Sequence, residues 1–144
     1  MKFSSRKDIL FTVAILGTSF GLLFAVILLF IEGKIKAGEY WVPPVLILLA
    51  LFLLWLFFGT SYELTKRELI YRIGPFSGKI SLDRIKEVVK HRTLWVGYRP
   101  ATATKGLIIK YDKFNEIYIS PKTNESFISK LLEFKSDIKI SDRY

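Results

Sequence analysis

Two long stretches without a single charged side chain, residues 9–31 and 41–58, constrain this chain more than anything else in it. The first reads ILFTVAILGTSFGLLFAVILLFI and the second WVPPVLILLALFLLWLFF. As helices they extend about 34 Å and 27 Å, against a hydrocarbon core of about 30 Å. Two transmembrane helices are therefore expected. Thr12, Thr18 and Ser19 can bond back to their own helix carbonyls. Pro43 and Pro44 fall in a first turn, where a missing N–H costs little. Tyr40 and Trp41 at one end of the second run, and Trp55 and Tyr62 at the other, suit a membrane interface. Lys2, Arg6 and Lys7 resemble the basic start of a signal peptide. The run is too long for that, and Gly33-Lys34-Ile35-Lys36 has no small-x-small cleavage pattern, so a retained helix is expected.

The connector Glu32–Tyr40 is short, so the two spans form a hairpin. Its Lys34 and Lys36 are offset by Glu32 and Glu39. Three basic residues precede the first span, and Lys66, Arg67 and Arg72 follow the second. This bias puts both termini in the cytoplasm of a multi-pass cell-membrane protein. Gly17, Gly21 and Ala25 share one helix face and let another helix approach closely. The second helix is the expected neighbour, and a homodimer seam is the alternative.

From Ser61 onward the hydrophobic period falls towards two. Tyr62 and Leu64 alternate, Thr65–Glu68 reads as a tight turn, and Leu69, Tyr71 and Ile73 alternate again, which predicts a β-hairpin. Gly74–Gly78 is a turn signal. Strands are expected at 79–82, 85–92, 107–111 and 116–120, with an irregular loop over 93–106. Pro121 ends the sheet. Thr123 or Asn124 caps a helix that buries Phe127, Ile128, Leu131 and Leu132. Ser136–Tyr144 is polar, although Ile138 and Ile140 hint at a further packed stretch. The expected organisation is an anchor over 1–60 and an α+β domain over 61–144: a bent antiparallel sheet of six or seven strands closed by a C-terminal helix.

The order YELTKRELIYRIGPFSGKISLDRIKEV, then LIIKYDKFNEIYISPKTNESFISKLLE, resembles a bacterial pleckstrin-homology (PH)-like family of small membrane-anchored proteins, mostly Gram-positive. The matching features are Ile73-Gly74-Pro75-Phe76, the segment 80–85, and Ile119-Ser120-Pro121 followed by Phe127 and Leu131. The resemblance implies a PH-like split barrel with a terminal helix over residues 61 to about 140. It implies no catalytic residues.

Charge and chemistry narrow the function. The formal charge is +9, and residues 61–144 hold 17 Lys+Arg against 10 Asp+Glu. A basic domain beside a bilayer favours anionic lipid headgroups. Nucleic acid would rest on charge alone and is not expected of an anchored chain. Cysteine is absent and His91 is the sole histidine, so no thiolate or multi-imidazole site is available. No nucleotide loop or nucleophile motif appears, and neither an enzyme nor a cofactor is expected.

Eukaryotic PH domains bind phosphoinositides at a long, basic first hairpin loop. Here Lys66, Arg67 and Arg72 occupy that hairpin, but its turn is too short to cradle a phosphate. A looser membrane-surface contact is expected of them, at about 1 kcal/mol per basic side chain. Strand alternation puts Lys86, Lys90 and Arg92 on one face, either an anion-facing stripe or a solvated sheet edge. Trp95, Tyr98 and Arg99 combine aromatic and guanidinium groups of the kind that anchor contacts. The resulting expectation is a membrane-tethered module that binds a protein partner or anionic lipid. The alternatives are protection against membrane-active peptides, with the helices active, and a structural subunit of a membrane complex.

Overall fold

In the computed structural model, which describes residues 1–94 and 97–142, the apolar runs become α1 (Ile9–Ile31) and α2 (Val42–Phe58). The helices pack against each other. Ser19 and Val26 are the buried positions of α1, and Pro43, Ala50 and Phe57 those of α2. Each set repeats every seven residues, which returns to the same helix face every two turns. The rest of α1 is apolar and open: Phe20, Phe24 and Phe30 are all exposed. A helix buried in a water-soluble core would cover such side chains. By length and composition α1 can cross a bilayer, whereas α2, at 17 residues, is shorter than the usual span.

The glycine face of α1 is not where the sequence put it. A Cβ added to Gly17 or Gly21 would meet nothing within 4 Å among the described residues. The close approach between helices is made instead at Ala50, which is fully buried.

The alternating segments form two four-stranded sheets. The first has the order β1-β2-β3-β4, from Lys2–Ser4, Ser61–Leu64, Glu68–Ile73 and Phe76–Ser81. The second has the order β7-β6-β5-β8, from Asn115–Ile119, Gly106–Tyr111, Ile85–Arg92 and Lys139–Ser141. A 3₁₀ turn at Leu82–Arg84 links the sheets, and α3 (Asn124–Phe134) follows β7. The inner faces meet in one core. Tyr62, Leu64, Leu69 and Ile80 come from the first sheet, and Val88, Leu107, Ile109 and Ile117 from the second. Phe127 and Leu131 of α3 close it. On the outer face of the second sheet, Val89, Ile108 and Tyr118 form a small cluster covered by Leu94 and Ala101.

Besides the glycine face, the domain differs from the sequence expectation in having eight strands in two sheets rather than six or seven in one bent sheet, and in three further features. The N-terminal tail, grouped with the anchor, supplies β1: Lys2, Phe3 and Ser4 pair antiparallel with Glu63, Tyr62 and Ser61. Phe3 is buried, with its ring edge-on to Phe127 at 5.2 Å. The hairpin turn after β3 is tighter than Gly74–Gly78. Ile73 already pairs with Phe76, because Gly74 adopts φ +52°, a conformation that suits a two-residue turn. Finally, the sheet is not wholly antiparallel, since β8 joins β5 in parallel through Glu87–Lys139, Val88–Ile140 and Val89–Ser141.

Candidate functional site

The end of the domain that meets the helices is built around the segment that joins β1 to α1. Arg6 N–H donates to Ser120 O at 2.7 Å and Asp8 N–H to Thr102 O at 3.2 Å. Behind them the Ser5 hydroxyl lies 3.1 Å from Tyr62 Oη, 2.9 Å from Thr102 Oγ1 and 3.0 Å from Ser120 Oγ. Tyr62 Oη donates to Pro100 O at 2.5 Å and accepts from Ser120 N–H at 3.1 Å. Burial pushes the Tyr62 phenol above its ordinary range, against the opposing pull of hydrogen bonds from Ser120 and Ser5. These groups are buried and mutually satisfied, so they fix one arrangement of the strands and the 98–105 loop.

One residue further on, Asp8 Oδ2 accepts from Thr104 N–H at 2.6 Å and Thr104 Oγ1 at 2.5 Å. Burial raises the Asp8 carboxyl, but the Thr104 hydrogen bonds and the nearby Arg6 and Lys105 charges outweigh it and leave it below the usual carboxylate range. The helix ends are held by aromatic contacts as well. Lys7 Nζ sits 4.8 Å and 4.0 Å from the ring centres of Phe57 and Phe58. The Arg99 guanidinium lies 5.9 Å from the Phe11 ring on α1 and 5.1 Å from Tyr118. A cation over a ring face is attracted by about 0.5–1 kcal/mol where exposed and more where dry.

Two glycines bring the β3–β4 turn onto α2. A Cβ on Gly59 would stand 2.6 Å from Trp55 O and 2.8 Å from Gly74 Cα. A Cβ on Gly74 would stand 3.3 Å from Leu56 Cα. Only residues without side chains permit this approach, and it carries the exposed Phe76 beside the helix end.

The sequence-derived candidates divide by position. Lys66 and Arg67 lie in the β2–β3 turn, one strand length from the helix ends, about 13 Å at 3.3 Å per residue. Arg72 pairs with Ser61 beside the exit of α2 and forms a 3.6 Å ion pair with Glu63. Lys86, Lys90 and Arg92 do not make one stripe. Register shifts between Ile85 and Glu87 and between Lys90 and Arg92 interrupt β5, and a bulge resets which way side chains point. Lys90 is drawn to Asp142 at 3.5 Å, while Lys86 and Arg92 remain exposed. Tyr98 is half exposed, its ring 5.5 Å from Tyr71, and its carbonyl accepts from Tyr118 N–H. Trp95 lies outside the described residues. Thus Arg72, Tyr98 and Arg99 are brought towards the helix ends and Lys66 and Arg67 are not. Sequence reasoning missed Ser5, Asp8, Thr102 and Ser120, whose only signal was a polar pattern common to any loop.

Comparison with known proteins agrees with this architecture. The uncharacterized protein YyaB of Bacillus subtilis (strain 168) is 28% identical over 141 residues, covering 97% of each chain, so the similarity includes the helices. No solved structure matches significantly. The family described as Bacterial PH domain matches residues 60–135, from the start of β2 through α3, and this chain therefore belongs to the bacterial PH domain family.

Proposed function

We propose that the protein is a membrane-anchored, non-catalytic interaction module, held at the inner leaflet by a two-span hairpin, whose domain meets anionic headgroups or a protein partner. The observation that carries this reading is the pairing of β1 with β2. These strands flank the helices in sequence, so the chain leaves and re-enters the domain at adjacent points. If α1 crosses the bilayer, the chain must return, and α2 is the apolar helix available for it. Its 17 residues give about 26 Å. The shortfall against a core of about 30 Å is met by local thinning and interfacial aromatics, here Trp41 and Trp55. The same pairing argues against removal of α1 as a signal sequence, because cleavage beyond it would also take β1 from the sheet. The basic residues beside the helix ends favour the cytoplasmic side.

The chain has no cysteine, so single substitutions test this topology with a membrane-impermeant maleimide. Lys36→Cys, in the connector, is expected to be labelled on intact cells. Ser126→Cys, exposed on α3, is expected to be labelled only after permeabilisation. The reverse pattern overturns the orientation, and equal labelling of the two on intact cells overturns the hairpin.

A further inference from the structure

Three hairpin turns among the described residues differ in what they expose. The β2–β3 turn carries Lys66 and Arg67, and the β6–β7 turn carries Asp112 and Lys113. The β3–β4 turn carries no charge: residues 73–78 read IGPFSG, between Arg72 and Lys79. Pro75 and Phe76 at its tip are both exposed, Phe76 at 57%. A lone exposed ring decides nothing, since single apolar side chains are common on protein surfaces. Phe114 is more exposed still, at 86%, and belongs to the charged β6–β7 turn. Position separates the two rings. β7 runs from that turn to Ile119, and Ser120 beyond it meets Arg6 beside the start of α1. Phe114 therefore stands a strand length, about 17 Å, from the helix ends.

Phe76 stands at the opposite extreme. Gly74 packs on the last turn of α2, where a Cβ would lie 3.1 Å from Leu56 Cδ2 and 3.4 Å from Leu56 N. This contact sets the turn level with Leu56, two residues before the helix ends at Phe58. Trp55 and Phe58 on the same helical turn are exposed. Pro75 and Phe76 thus add to a group of uncovered apolar side chains at one level.

The length of α2 sets the depth of that level. Its 17 residues extend about 26 Å, short of a hydrocarbon core of about 30 Å. A span shorter than the core keeps its last turn at the hydrocarbon boundary rather than above it, and whatever packs beside Leu56 shares that depth. The turn suits such a place. Pro75 has no N–H to desolvate, and the pairing of Ile73 with Phe76 engages the backbone flanking the tip. Charges begin only at Arg72 and Lys79, each in an ion pair, with Glu63 at 3.6 Å and Glu68 at 3.4 Å. Tyr98 marks the next level. Its ring lies 5.5 Å from that of Tyr71, and Tyr71 pairs with Gly78, two residues or about 7 Å further along the hairpin. A half-exposed phenol at that height suits the headgroup layer.

We propose that the β3–β4 turn is a third apolar insertion of this chain into the bilayer, beside the two helices. Pro75 and Phe76 enter the boundary of the acyl chains next to Trp55 and Phe58, and Tyr98 lies above them among the headgroups. The contact is apolar and needs no lipid charge. It rests on the membrane-anchored reading above, and adds that the domain lies against the bilayer at a fixed tilt.

The test uses the full chain, ¹⁵N-labelled, in nanodiscs of phosphatidylcholine. Two relaxation probes are compared: a phosphatidylcholine with a nitroxide high on one acyl chain, and a water-soluble gadolinium chelate. The Phe76 amide signal is expected to be lost with the nitroxide lipid and kept with the chelate, and Phe114 to show the reverse. Phe20, exposed on α1, reports on the anchor. The proposal is overturned if Phe76 behaves like Phe114. It is also overturned if Phe76 meets the nitroxide only after phosphatidylglycerol is added, which would make charge the cause. If Phe20 escapes the nitroxide too, the anchored reading itself fails. Paired substitutions check the same contact through stability. Aspartate and serine differ little at a site in water, whereas a charge at the hydrocarbon boundary is costly. Phe76→Asp is expected to lower the Tm in nanodiscs below that of Phe76→Ser, while Phe114→Asp and Phe114→Ser should match. Equal Tm for the two variants at 76 overturns the insertion.

Discussion

Tyr62 ties the segment that leads into α1 to two other parts of the domain. Its ring lies in the core, and its hydroxyl touches Ser5, Pro100 and Ser120, which belong to three separate parts of the chain. Tyr62→Phe keeps the ring and strands the Ser120 N–H and the Pro100 carbonyl in a buried place. Leaving such groups unsatisfied costs about 1–3 kcal/mol each, partly relieved because Ser5 and Thr102 stay nearby. We expect a net loss of about 2 kcal/mol, read as a lower Tm in detergent with the far-UV spectrum unchanged. An unaltered Tm would mean that the network does not fix the fold. Little of this was legible in the sequence. Tyr62 was recognised only as an alternating strand residue and a possible interfacial ring, because hydrogen bonds among residues 5, 62, 102 and 120 leave no local pattern.

At the scale of elements, the glycines divide into two kinds that look alike in sequence. Gly59 touches the backbone of the β3–β4 turn, whereas Gly17 and Gly21 face open space. Gly59→Ala must push backbone against backbone and is expected to destabilise the docked arrangement by about 1–3 kcal/mol. Gly17→Leu with Gly21→Leu should leave the α1–α2 pairing and Tm intact, since there is nothing to clash with. If the open face is a homodimer seam, that double substitution also abolishes crosslinking between copies in the membrane, which separates assembly from folding. A fall in Tm as large as that of Gly59→Ala would mean that α2 does reach the glycine face. The helices themselves and most strands were readable because charge-free length and alternation are local signals. β1 and β8 were not, because a strand of three residues is too short to show a period and is held by its neighbours alone.

For the whole molecule, the α1–α2 hairpin is an insertion between two paired strands. Ser4 is the partner of Ser61, and Ser5 N–H donates to Thr60 O at 3.4 Å. Chain entering and leaving the hairpin is therefore close enough for a few residues to bridge. This makes a definite expectation about what folds. Residues 60–144 alone lack β1, so β2 becomes an open edge and Phe127 loses the ring packed against it. Burying an aromatic side chain such as Phe3 contributes about 1.5–3 kcal/mol, a large part of the stability of so small a domain. Residues 1–7 joined to 60–144 through a short Gly/Ser linker retain β1 and shed the apolar helices. That polypeptide is expected to be soluble without detergent, monomeric, and more stable to urea than residues 60–144 by a margin of about 2 kcal/mol or more. Equal stability of the two would make β1 an ornament on a domain complete without it, and β1 would then not clamp the start of α1 to the domain.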